Sequence, residues 1–189
     1  EVDLAAPWRR ATMVELIREH AGVEISPSMP VEAARAVLDG LGLDHEPSWG
    51  SGRCTYAVYD ELVEQHLVEP TFVLDHPREI SPLAKASPDD PTLVERFELV
   101  VDGRELANAY SELNDPIDQL ERFEAEARAK AGGDLEAGDL DHDYIRALEY
   151  GLPPTGGLGI GMDRVAMLLA GVHSIKEVIL FPTLRPEQF

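Results

Sequence analysis

Four glycines fall within six residues, at Gly156, Gly157, Gly159 and Gly161, and are followed by Asp163-Arg164 and the apolar helical pattern Val165, Met167, Leu168 and Leu169. A glycine-rich strand lets a flat ligand rest on the backbone, because no Cβ stands in the way. An arginine in the first turn of the next helix can then grip a phosphate. The spacing excludes the usual nucleotide fingerprints. Gly157-x-Gly159-x-Gly161 lacks the third glycine of a dinucleotide-binding turn, and no Gly-Lys-Ser/Thr closes a phosphate loop. Spacing alone leaves a nucleotide floor and a plain tight strand-to-helix junction equally open.

A second constellation lies upstream. Asp102-Gly103 between two apolar runs predicts a hairpin with a two-residue turn. Val101 then pairs with Arg104 and Val100 with Glu105, which puts Glu98 and Glu105 on one face as diagonal neighbours, roughly 7 Å apart at the backbone. Two such carboxylates repel unless protons or a cation lie between them, and a hard oxygen-bound cation such as magnesium suits them. An exposed acidic face is the commoner origin of such a pair. Farther along, Asn108, Tyr110 and Glu112 alternate and share a face. An amide, a ring and a carboxylate in a row suit an amino-acid ligand with an ammonium and an aliphatic stem; the bland alternative is a polar strand end running into the Asn114-Asp115-Pro116 turn. Glu105 and Asn108 differ by an odd number, so a bulge must intervene if both face one pocket.

Other chemistry is sparse. The six histidines show no ligand spacing. His76, in Asp75-His-Pro77, reads as part of a turn, and Lys85 as a surface lysine. No Gly-x-Ser-x-Gly elbow occurs, and Cys54 has no neighbouring base in the sequence. As the single cysteine it excludes an internal disulfide and fits a reducing compartment.

The chain has 189 residues, 44% hydrophobic and 28% charged, enough for one core. No apolar run is long enough to span a membrane. The net charge of −20 repels phosphate backbones, so nucleic acid would have to be held by local arginines or by other parts of the protein. The first residues, Glu1-Val2-Asp3-Leu4, carry no methionine and no targeting pattern, and suggest a piece of a longer protein.

These candidate residues must be positioned by the following elements. Residues 1–10 read as a short strand ended by Pro7. Thr12 with Glu15 predicts a capped helix. A second helix is expected over Val31–Leu41, stopped near Gly40 and Gly42, and a third over about 54–68. Thr71–Leu74 reads as a strand, 78–91 as irregular, and the hairpin strands as 93–101 and 104–113. Pro116 opens a long helix to about Lys130, broken at Gly132-Gly133. A short helix over about 141–150, the glycine strand, its helix and an apolar run over 175–181 complete the chain. The order predicts an α+β fold, an antiparallel sheet flanked by helices.

Arg96-Phe-Glu-Leu-Val-Val-Asp-Gly-Arg-Glu-Leu-Ala-Asn-Ala-Tyr-Ser-Glu-Leu-Asn-Asp-Pro116, together with Gly157-Leu-Gly-Ile-Gly-Met-Asp-Arg164, resembles class II lysyl-tRNA synthetases. The second run is similar to motif 3 of that class. The likeness extends through Pro7-Trp-Arg-Arg10, Ser48-Trp-Gly50, Pro70-Thr-Phe72, Ser81-Pro-Leu-Ala84 and Leu180-Phe-Pro182. The resemblance implies ATP and lysine as substrates and Mg2+ as cofactor, with Glu98 and Glu105 as magnesium ligands bridging ATP phosphates. It implies a lysine pocket of Asn108, Tyr110 and Glu112, ATP lying on Gly159 and Gly161, and Arg164 as the arginine on the γ-phosphate. The implied catalytic residues are Arg164 and Glu105. The implied reaction forms lysyl-adenylate and then charges tRNA(Lys), in the cytoplasm, as a homodimer without membrane attachment.

By the same resemblance, residues 1–189 are the C-terminal portion of the catalytic domain, with a helical insertion over roughly 12–68 and the motif 3 region over 154–171. Motifs 1 and 2 and the anticodon-binding domain have no counterpart, so the isolated chain is expected to be inactive. Two alternatives stand beside this reading. One is a truncated, non-catalytic paralogue that binds lysine or a partner protein; the other is the synthetase-like domain of a lysyl-phospholipid synthase.

Overall fold

The computed structural model describes residues 2–131, 138 and 140–183. Five strands form one sheet in chain order: β1 (Arg9–Thr12), β2 (Thr71–Leu74), β3 (Arg96–Val101), β4 (Arg104–Ser111) and β5 (Gly156–Ile160). Among the described residues six helices accompany them: α1 (Met13–Ala21), α2 (Val31–Leu41), α3 (Ser51–Leu62), α4 (Pro116–Ala131), α5 (His142–Glu149) and α6 (Met162–Ala170). The α+β class is as expected. Three of the four pairings are antiparallel, but β1 and β2 run parallel. The reason lies in the connection: α1, α2 and α3 fill the path between these strands, and a helical crossover returns the chain to the end it left.

The first strand lies beyond Pro7 rather than before it; a residue without an N–H makes a poor ladder member. Thr12 caps α1, accepting from the Glu15 amide while the Glu15 carboxylate accepts from the Thr12 amide. Helix α3 begins at Ser51, three residues before the expected start. Its first amides are held from far away: the Glu79 carboxylate accepts from Gly50 N at 2.7 Å and from Arg53 N at 3.1 Å. Cβ atoms at Gly50 or Gly52 would lie 2.5 and 2.9 Å from that carboxylate. The helix stops at Leu62, and a separate 3₁₀ turn follows at Glu64–His66. The 78–91 segment is irregular apart from a 3₁₀ turn at Arg78–Ile80, and bridges tie Pro77 to Leu93, Ala86 to Val94 and Ala84 to Glu112. The apolar run over 175–181 holds a 3₁₀ turn at Ile175–Glu177 and then exposes Leu180 and Phe181. The Gly132-Gly133 helix break lies outside the described residues.

Alternation along the strands divides the core. Ala11, Val73 and Val100 face α1, α2 and α3 and bury Met13, Leu16, Ile17, Leu38, Cys54, Val58 and Tyr59 completely. Leu99, Val101 and Ala107 face the other way, against Trp8, Phe72 and Leu168 of α6. Helices therefore cover both faces. Strand β5 is a sheet edge with Leu158 and Ile160 exposed. Among the described residues no helix is long and apolar enough to cross a membrane.

The hairpin turn fixes the register of β3 on β4. Asp102 and Gly103 both have positive φ, 54° and 65°, as a type I′ turn requires. The turn is also docked: Asp102 N donates to Val68 O and Gly103 N to Leu67 O, at 2.9 and 3.0 Å. A Cβ on Gly103 would meet the Gln65 carbonyl oxygen at 3.0 Å. Gly103→Ala is therefore expected to destabilise the protein by about 1–3 kcal/mol, measured as a fall in the denaturant midpoint; an unchanged midpoint would show the turn to be free of this constraint.

Candidate active site

Strand parity is the first thing the site needs, and the ladder provides it. Val101 pairs with Arg104 and Val100 with Glu105, but Leu99 pairs with Ala107 and Glu98 with Asn108. Leu106 is the extra residue. This bulge brings Glu105 and Asn108 onto one face, with Glu98 directly opposite Asn108. Tyr110 lies opposite Arg96 on one side and Gly157 on the other, while Gly159 lies opposite Asn108. Glu98, Glu105, Asn108, Tyr110, Glu112, Gly157 and Gly159 thus share one sheet face, continuous with the face that packs on α3.

Strand β5 is the floor. A Cβ on Gly159 would have only the Asn108 carbonyl within 4 Å, at 3.9 Å, so the backbone there is open to a planar ligand. Gly157 is different. Its missing Cβ would fall 2.3 Å from Glu112 Oε1, so the Glu112 carboxylate occupies that space. Gly161 caps α6, and Arg164 in the first turn reaches back to the hairpin. The Arg164 guanidinium donates to the Glu105 carbonyl, and its Nη1 lies 3.8 Å from Glu105 Oε2.

Glu98 is buried, 4% exposed. Burial pushes its carboxyl up to about 7; Arg96 opposes the rise, and the charges of Glu105 and Glu64 add to it. Arg96 organises this end of the face. It donates to Glu98 Oε1 at 2.6 Å, to Asn108 Oδ1 at 3.2 Å and to Ser81 Oγ at 2.9 Å. Ser81 is held in turn by Arg122, whose Nη1 donates to the Ser81 and Ala84 carbonyls at 3.1 and 2.7 Å. Asp118 pairs with Arg122, which keeps its carboxyl below the usual range.

Burial raises the Tyr110 hydroxyl, and Glu112 adds to the rise. The two residues read as a turn histidine and a surface lysine are placed as follows. His76 is fully buried, its Nε2 is 3.2 Å from the Val73 carbonyl, and burial lowers it to about 3, so the ring is neutral. The Lys85 side chain is exposed.

A family profile described as tRNA synthetases class II (D, K and N) matches residues 1–185. The chain belongs to the class II tRNA synthetases. Among its relatives, a protein named lysine–tRNA ligase from Porphyromonas gingivalis is 53% identical over 187 residues, which is 99% of this chain and 32% of that protein. Proteins of the same name from Thermoanaerobacter pseudethanolicus and Leuconostoc mesenteroides are 51% and 50% identical, again over 99% of this chain and 38% of theirs. The chain thus spans about a third of the length of the relatives it matches.

Several residues around this face are not singled out by sequence reasoning. Arg96 escapes it because its partners are set by pairing across the sheet and by a loop fifteen residues away. Glu64, in the 3₁₀ turn, is partly buried beside Asp60, Glu105 and Arg164, and burial raises its carboxyl. The Tyr59 hydroxyl is buried without a hydrogen-bond partner among the described residues and neighbours Glu64 and Glu98. Tyr144 of α5 lies within electrostatic reach of Glu112 and Tyr110. Local spacing carries no signal for any of the three.

Two outcomes follow. In Gly157→Ala the new Cβ should displace the flexible end of Glu112 rather than the backbone. The thermal midpoint should stay within about 2 °C while the carboxylate moves, as seen in a crystal structure of the variant; an unmoved carboxylate would contradict the assigned contact. The second concerns pH. Because Glu98 binds its proton more tightly folded than unfolded, its contribution to stability is full below about 4.5 and is lost as pH rises towards 7. Wild type should therefore lose stability relative to Glu98→Gln across that window, by about 1–3 kcal/mol, and the gap should level off above it. Urea unfolding at a series of pH values measures this, and a constant gap would refute it.

Proposed function

We propose that the protein is a lysine–tRNA ligase, which activates lysine with ATP and transfers it to tRNA(Lys), and that this chain supplies the later part of its catalytic domain. On this reading α1, α2 and α3 form an insertion into that domain, and the protein works in the cytoplasm as a homodimer. One observation carries it. Glu112 over Gly157, the Glu98–Glu105 pair and Arg164 share one face of a class II synthetase sheet whose relatives, at about 50% identity, are named lysine–tRNA ligase.

The roles follow from geometry and charge. The Glu112 carboxylate would receive the substrate ammonium, with Tyr110 along the aliphatic stem and Asn108 on its polar end. The glycine strand would carry the adenine and ribose, and Arg164 would hold the terminal phosphate. The chain's contribution to rate is then alignment of the lysine carboxylate with the α-phosphate, and stabilisation of charge developing on the phosphates.

The donor set also fits Mg2+. Glu98 and Glu105 present two oxygen ligands on one face, and the raised Glu98 carboxyl is the mark of a buried negative charge that still lacks full compensation. Among the described residues no three carboxylates, histidines or thiols converge on one point. Further ligands of such a cation would have to come from phosphates and water. When bound, the ion would neutralise phosphate charge.

The test is lysine-dependent ATP–pyrophosphate exchange with the full-length protein. Exchange should require lysine. Arg164→Ala should lower it by about 10²–10³-fold, and Glu112→Gln should raise KM for lysine about tenfold or more, with KM for ATP little changed. Exchange driven equally by another amino acid would overturn the assignment.

A further inference from the structure

Asn108 meets the site with a side chain that has two unlike ends. One is an oxygen that only accepts, the other an NH2 that only donates. Which end faces a ligand decides what this position can recognise, and the amide alone leaves either open. Its neighbour removes the choice. Arg96 pairs with Tyr110 across the ladder and Glu98 with Asn108, so Arg96 and Asn108 are diagonal neighbours on one face. Arg96 Nε donates to Asn108 Oδ1 at 3.2 Å. A guanidinium carries donors and no acceptor, so only the amide oxygen can meet it. The NH2 is therefore turned away from Arg96, and among the described residues no protein atom accepts from it. On the β5 side Asn108 is paired with Gly159, where no side chain stands in the way.

The guanidinium is itself held in a fixed plane. Its Nη2 donates to Glu98 Oε1 at 2.6 Å, and its Nη1 to Ser81 Oγ at 2.9 Å and to the Ile80 carbonyl at 3.4 Å. Ser81 is buried, and its carbonyl accepts from the buried Arg122 of α4. Arg122 donates to both oxygens of Asp118, which also accepts from Arg78. The direction of the Asn108 amide is thus set from α4, through Ser81 and Arg96.

We propose that Arg96 is a positioning residue for the substrate carboxylate: by holding the oxygen of Asn108 it makes that amide a donor towards the open face. The spacing fits a lysine ligand. The Glu112 carboxylate lies over Gly157, opposite Tyr110, and Asn108 lies one step further along the same face, about 7 Å away. An extended lysine spans such a gap from ammonium to carboxylate. The donor serves both stages of activation, because the free carboxylate and the acyl carbonyl that replaces it in lysyl-adenylate both accept. Arg96 does not touch the substrate. The inference rests on the reading of this face as a lysine-activating site.

The experiment compares lysine with 1,5-diaminopentane, which is lysine without its carboxylate, in the full-length protein. ATP–pyrophosphate exchange gives KM for lysine, and competition with lysine gives Ki for the diamine. Arg96→Lys keeps a positive charge beside Glu98 and loses the planar fork. Its KM for lysine should rise about tenfold, with Ki for the diamine unchanged within about twofold. Asn108→Asp keeps an oxygen on Arg96 and puts an acceptor where the NH2 stood. Its KM for lysine should rise about a hundredfold, while the diamine should bind at least as tightly as to wild type. A wild-type KM for lysine in either variant overturns the proposal. So do equal losses for lysine and the diamine, which a merely loosened site would give. If Arg96→Lys does not fold, Asn108→Asp decides, since only an outward NH2 makes that change selective for the carboxylate. Absence of lysine-dependent exchange in the wild type would refute the ligase reading itself, whereas normal exchange there with unselective losses in the variants overturns this proposal alone.

Discussion

A strand turns successive side chains to opposite faces, and this site exists because the rule is broken once. At Leu106 the β3–β4 ladder slips by one residue. Without the slip, Glu105 would join Glu98 on the open face while Asn108, Tyr110 and Glu112 pointed into the core behind. With it, the two carboxylates and the three later polar residues line one surface, and the apolar residues between them fill the opposite one. The docked Asp102-Gly103 turn sets the register from which the slip is counted, so the turn and the bulge together determine what the face displays.

The face so built holds charge that is only partly balanced. Arg96 neutralises Glu98 at close range, yet burial still dominates that carboxyl. Arg96 is itself tethered to Ser81, and Ser81 to Arg122 of α4, which pairs with Asp118. A chain of hydrogen bonds and ion pairs thus runs from α4 through Ser81 to the centre of the sheet. Keeping such a charge in place uncompensated costs stability. A cation beside it would offset that cost.

Much of this was legible locally. Thr12 and Glu15 announce α1, Pro30 to Gly42 bracket α2, and Asp102-Gly103 specifies the hairpin, because each signal acts within a few residues of the element it controls. The bulge was deducible too, from parity, once Glu105 and Asn108 were required to share a face. Long-range control was not legible. The start of α3 depends on Glu79, far along the chain, and the parallel β1–β2 pairing depends on where three helices return the strand. Arg96, Glu64 and Tyr144 owe their places to contacts between elements, which no spacing encodes. The glycine run shows both limits at once. Its openness to a flat ligand could be read, but the occupation of the Gly157 gap by Glu112 could not.

Cys54 sits in the first turn of α3, fully buried among the residues that join α1, α2 and α3 to the sheet, and burial pushes its thiol up. It is also the only thiol in the chain. While that packing holds, oxidants and alkylating agents in solution have nothing to attack. The rate at which this sulfur becomes labelled is therefore a clock for the parting of the three helices from the sheet, built into the native sequence and silent as long as they stay together.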